Sequence, residues 1–104
     1  MKVLITAGKS AAAFKQLKKY PSDQVILADY GDMPRVPSGS YQFISLGTLN
    51  PETIAHTLLT FCLDHTIDAV LPLQDFEKEA LTNAGVLFEE FGVQVLSADE
   101  GKEI

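Results

Sequence analysis

The 104-residue sequence has no tryptophan and a single cysteine, Cys62, so no disulfide can form within the chain. One unpaired thiol fits a reducing compartment, and a cytoplasmic location is the expectation. No apolar run approaches the roughly 20 residues that cross a bilayer, so no membrane partner is expected. The N-terminal MKVLITAG carries one lysine and a five-residue apolar run, shorter than a secretory signal needs. Basic residues are scarce: 8 Lys and Arg against 14 Asp and Glu, for a net charge of −6. Residues 1–50 hold six basic and three acidic side chains, and residues 51–104 hold two and eleven. Neither half has a basic cluster interleaved with aromatics, which argues against a nucleic-acid partner, since binding there rests on neutralising several phosphates. Most of the acids fall on outward helix faces and read as solvated surface.

What is present is ordinary for one globular domain: 46% hydrophobic and 21% charged residues, in a length that can bury a real core. The organising stretch is Asp68 to Ala98, DAVLPLQDFEKEALTNAGVLFEEFGVQVLSA. Ala69 to Leu73 is a short apolar run, long enough for a strand and too short for a helix. Asp75 is a good helix cap, and Glu77 and Glu79 suit the first turns, where the helix dipole favours negative charge. Apolar residues then recur at Phe76, Ala80, Ala84, Leu87 and Phe91, with Leu81 and Phe88 beside them. That spacing predicts one continuous helix with a broad inward stripe. Gly92 supplies a left-handed stop. Val93 to Leu96 opens a second buried strand. Strand, helix and strand in about 30 residues make a βαβ unit, whose crossover is right-handed.

From the start of the chain, Val3 to Ala7 reads as a central parallel strand, apolar and β-branched. Gly8, Lys9 and Ser10 form a tight turn, and Ser10 can cap a helix beginning at Ala11. That helix buries Ala13, Phe14 and Leu17 and ends before Pro21, with Lys18 and Lys19 at its negative end. Gln24 to Asp29 is a second strand. Residues 31–40, GDMPRVPSGS, are a loop rich in Gly, Pro and Ser. Tyr41 to Leu46 is a short strand near an edge. Asn50-Pro51-Glu52 starts a helix: a cap, a proline at the first helical position and an acid behind it. Ile54, Leu58, Phe61, Cys62 and His65 share one side of it.

The resulting fold class is α/β: a three-layer, Rossmann-like domain with about five mainly parallel strands in the order 3-2-1-4-5. The loop between the second and third strands is too short for a crossover helix, so the unit is an incomplete version of that fold. Open sheets of this kind bind ligands beyond the C-terminal strand ends, where the strand order reverses. Here that point lies between strands 1 and 4. It gathers Gly8, Lys9 and Ser10 after the first strand, and Gln74 and Asp75 after the fourth. Asp29, ending the second strand, lies beside the first loop.

The familiar nucleotide motifs are missing. Gly8-Lys9-Ser10 resembles the end of a phosphate loop, but the first glycine of that motif would fall at Val3, inside the strand. A helix N-terminus can still hold an anion through backbone N–H groups. Asp29, 21 residues after Gly8, stands where a ribose-binding acid would. Yet Ala7 to Ala13 contains one glycine, and without a second the backbone cannot approach a pyrophosphate closely. His56 and His65 are nine residues apart and share no tight ligand spacing. No metal-ligand cluster and no Ser/His/acid set emerges. Asp75, Glu77 and Glu79 are the one local carboxylate group, and capping accounts for them.

MKVLITAG, VILADY and above all DAVLPLQDFEKEALTNAGVLFEEFGVQVLSADEGKEI resemble the N-terminal, pre-ATP-grasp domain of ATP-grasp carboxylate–amine ligases such as biotin carboxylase. The specific part is a strand with an internal proline, a polar pair and an acid-capped helix, VLPLQDFEKEAL, followed by FGVQVL. The resemblance implies that Pro72 marks where the strand leaves the sheet toward the ligand cleft. It also implies that residues 1–98 form one wall of an acceptor-substrate cleft, for a small carboxylate or amine, with Gly8, Lys9, Ser10, Asp29, Gln74 and Asp75 along it. No cofactor and no catalytic residue is expected here, because ATP and magnesium are held by later domains in that family. Asp99 to Ile104 reads as the start of a helix or linker toward such a domain, and the expectation is that the natural chain continues. Two other readings stay open: a stand-alone Rossmann-like module for a small ligand or for self-association, and an NAD(P)-linked protein.

Overall fold

The computed structural model describes residues 2–20, 24–31, 41–48 and 50–96. Strand β1 (Lys2–Ile5) leads to helix α1 (Ala11–Leu17), strand β2 (Gln24–Asp29) and strand β3 (Tyr41–Ser45). A 3₁₀ turn (Pro51–Thr53) then opens helix α2 (Ile54–Asp64), followed by strand β4 (Ala69–Leu71). Helices α3 (Asp75–Asn83) and α4 (Gly85–Glu90) precede strand β5 (Gln94–Val95). Most of the 31–40 loop, and the expected helix start at Asp99–Ile104, lie outside the described residues.

The five strands form one parallel sheet in the order β3-β2-β1-β4-β5, as the patterning requires. Handedness sets the layers. The step from β1 to β2 runs one way across the sheet, and the steps to β4 and β5 run the other. Right-handed crossovers therefore put α1 on one face and α2, α3 and α4 on the opposite face. Side chains divide accordingly. Leu4, Ile26 and Val70 pack with Leu58, Cys62, Leu81 and Phe88 on the three-helix face. Val3, Ile5, Val25, Leu27 and Leu71 pack with Ala13 on the other.

Local signals explain the ends of the elements. Ser10 Oγ accepts the Ala13 N–H at 3.2 Å, the cap expected of it. Asn50 Oδ1 accepts the Glu52 N–H at 3.1 Å. Gly92, at φ 76°, closes α4, as a left-handed stop should.

Five expectations change. The helix predicted from Asp75 to Phe91 is broken at Ala84, between α3 and α4. The Thr82 hydroxyl donates to Lys78 O at 2.7 Å, a back-bond that bends helices, and Gly85 follows with little helix propensity. The cap of α3 is Gln74, and Asp75 is its first helical residue. Leu81 and Phe88 are buried as expected, with Phe76, Ala80 and Ala84 against the same core, but Glu77 is buried beside them and Leu87 and Phe91 are exposed. Phe14 of α1 is also exposed, in edge contact with Phe43. Finally, β5 is short and exposed at both residues, because it is the last strand of the sheet in this order and only Val93 before it enters the core.

Candidate functional site

The edge where β1 and β4 diverge gathers the six candidate residues into two groups joined by side chains that sequence patterning passed over. On the β1 side the backbone turns through Ala7, which adopts a left-handed φ of 52°. Gly8 follows, and its N–H donates to Ala28 O at 2.9 Å. A Cβ at Gly8 would lie 2.7 Å from Ala28 N and Leu27 C, so only glycine lets this turn press onto β2. The Lys9 N–H donates to Asp29 Oδ2 at 3.2 Å, and its ammonium Nζ donates to Tyr30 O at 3.0 Å. The Ser10 N–H donates to Ala7 O at 2.9 Å, and its hydroxyl donates to the same carbonyl at 2.7 Å. Asp29 also accepts the Tyr30 N–H through Oδ1 at 2.8 Å. The backbone N–H groups of Gly8, Lys9 and Ser10 in this turn are thus bonded within the protein. Asp29 is engaged with the turn itself.

On the β4 side Pro72 is buried, and the chain leaves the sheet through Leu73. The Leu73 N–H donates to Thr6 Oγ1 at 2.9 Å, tying this turn to the end of β1. Gln74 O accepts the N–H groups of Glu77 and Lys78, both at 3.0 Å. Gln74 is half-buried and Asp75 is exposed.

Glu77, one turn into α3, is completely buried. Its Oε1 accepts the Thr6 hydroxyl at 2.6 Å and the Gln74 N–H at 3.3 Å. Its Oε2 accepts the Tyr30 hydroxyl at 2.6 Å. The Tyr30 ring packs near Phe76, with centroids 6.2 Å apart. Burial, then the hydrogen bond to Glu77, then the charges of Glu77 and Asp29 push the Tyr30 phenol well above its ordinary value. It is a fixed protonated donor. Thr6, Tyr30 and Glu77 are therefore the residues that join the two groups. The signal for Glu77 was in the spacing: it falls in register with Leu81 and Phe88, the inward row of α3 and α4.

Other chemistry stays apart. Cys62 is buried in α2, and burial pushes its thiol from 9.0 up to about 12, which leaves it inert as a nucleophile. His65 ends α2 and stacks on Phe61 at 4.2 Å. Among the described residues no group of three His, Cys, Asp or Glu side chains is placed to hold a metal. No helix among them is long and apolar enough to cross a membrane.

No protein-family model matches the sequence, and no curated protein does. A solved structure does: the crystal structure of a short chain dehydrogenase family protein from Francisella tularensis subsp. tularensis SCHU S4. The TM-score is 0.51 at 13% identity, over 99% of this chain and 53% of that one. This chain thus spans about half the length of that protein. Likeness at that identity shows the fold, and with the sheet order it makes this chain a Rossmann-like α/β domain.

Proposed function

We propose that this chain is the substrate-side domain of an ATP-dependent carboxylate–amine ligase of the ATP-grasp class, forming one wall of the acceptor cleft. One observation carries this reading over a nucleotide-binding one: the backbone donors of Gly8, Lys9 and Ser10 bond internally. A dinucleotide or triphosphate domain keeps backbone N–H groups of its glycine-rich turn and helix N-terminus open for its phosphates. Here the turn is closed, and the edge presents side chains instead. Lys9 suits a substrate carboxylate, Asp75 an amine, and Gln74 either, since an amide both donates and accepts. This reading gives ATP and magnesium no place on this wall. In this reading further domains hold them and supply the phosphoryl chemistry, and this wall binds and orients the acceptor.

A second reading, a Rossmann-like module that binds NAD(P), draws on the dehydrogenase-like fold and on Asp29, 21 residues after Gly8. Two-dimensional amide spectra of the ¹⁵N-labelled chain separate the two. Titration with NAD(H), NADP(H) and ATP–magnesium should give no saturable shifts. A panel of small amino acids and carboxylates should move Lys9, Gln74 and Asp75. Saturable NAD(P) shifts across Gly8 to Ala13 and at Asp29 would replace the ligase reading with the second one.

A further inference from the structure

We propose that Glu77 is a positioning residue, sitting inside a carboxylate site built by the protein itself and setting the spacing across the switch edge. The proposal stands on the edge geometry and does not depend on the ligase reading. An ionisable side chain at zero exposure is costly unless well bonded, and the inward row it shares with Leu81 and Phe88 would take an apolar residue to fill the same space. A cap would explain the Gln74 N–H contact, but at 3.3 Å that is the longest of the three bonds to the carboxylate. The two short ones, both 2.6 Å, come from hydroxyls 71 and 47 residues away in sequence. They belong to the ends of β1 and β2.

The connections run on from there. Thr6 also accepts the Leu73 N–H, and Lys9 Nζ donates to the carbonyl of Tyr30. One carboxylate therefore links the Lys9–Asp29–Tyr30 side of the edge to the Leu73–Gln74–Asp75 side. Its loss should shift both sides together. It should also leave a vacancy whose donors, two hydroxyls and one backbone N–H, are arranged for the oxygens of a carboxylate. A small carboxylate such as formate has the chemistry to enter.

The test uses the ¹⁵N-labelled chain with Glu77→Ala and Glu77→Leu. In Glu77→Ala the amides of Lys9, Tyr30 and Gln74 should move, and formate should return them saturably toward their original positions. Chloride at equal ionic strength should not. In Glu77→Leu the same amides should be displaced with no response to formate, while amides of α2 stay in place. Formate without effect on folded Glu77→Ala, or Glu77→Leu with the edge amides unmoved, would reduce Glu77 to a cap or a core filler and overturn the proposal. If Glu77→Ala does not fold, Tyr30→Phe and Thr6→Val each remove one donor. Either should shift Gln74, and a Gln74 amide unmoved in both would sink the idea.

Discussion

Thr66 occupies a position that a glycine fills elsewhere in the same chain. At the end of α2 the Ile67 N–H donates to Cys62 O at 2.8 Å and the Thr66 N–H to Leu63 O at 3.4 Å. At the end of α4 the Val93 N–H donates to Phe88 O and the Gly92 N–H to Glu89 O, both at 3.0 Å. These are two copies of one helix stop, with Ile67 and Val93 buried beyond the turn. The left-handed residue is Thr66 at φ 51° in the first and Gly92 at φ 76° in the second. A β-branched side chain is strained there, by roughly 1–2 kcal/mol, and glycine returns about half of that through its unfolded-state entropy. Thr66 is exposed, so little contact is lost. Thr66→Gly should stabilise the protein by about 0.5–1 kcal/mol, raising the thermal midpoint by a few degrees. A midpoint that falls would mean the threonine side chain holds the turn. At this scale the sequence is readable where a residue has one dominant local role: Ser10 as a cap, Gly92 as a stop. It is unreadable where a residue's role lies with distant partners. Glu77 looks like any first-turn acid until β1 and β2 bring Thr6 and Tyr30 to it.

Elements were legible in kind and order, and less so in phase. The expected stripe holds through Phe76, Ala80, Leu81, Ala84 and Phe88, all in or against the three-helix core; it fails at Leu87 and Phe91, which are exposed, and at Glu77, a carboxylate counted as surface that is buried. The back-bond of Thr82 then interrupts what reads as a single helix. A pair of phenylalanines three residues apart marks where the stripe ends. Phe88 is at 0% exposure in the three-helix core, and Phe91 is at 52%. Phe88→Ala should cost about 3–5 kcal/mol, the range for large core truncations. Phe91→Ala should change stability by less than about 0.5 kcal/mol, as surface substitutions do. Chemical denaturation of the two variants beside the parent checks both. Equal losses would require Phe91 to be covered and the stripe to run on to the end of α4.

For the whole molecule, handedness and sheet order were legible because few arrangements of these elements satisfy both. The finer placement of the edge was not, since it depends on bonds between residues as far apart as 6 and 77. The same architecture predicts how the fold opens. β1 is paired on both sides, by β2 and β4, and its alternate residues enter both clusters: Leu4 on one face, Val3 and Ile5 on the other. Separating β1 from a neighbour therefore disrupts both faces of the core at once. Its amides should exchange only through global unfolding, which is the ceiling for any segment. β5 is different. It pairs with β4 across two residues, both exposed, and adds neither to the core clusters. Native-state amide exchange should therefore give Ile5 an opening free energy equal to that from denaturant unfolding, and Gln94, whose N–H donates to Asp68 O, a clearly smaller one. If Gln94 proves as protected as Ile5, the β5 edge is held by contacts beyond the strand pairing, and the sheet opens as a single unit from either side.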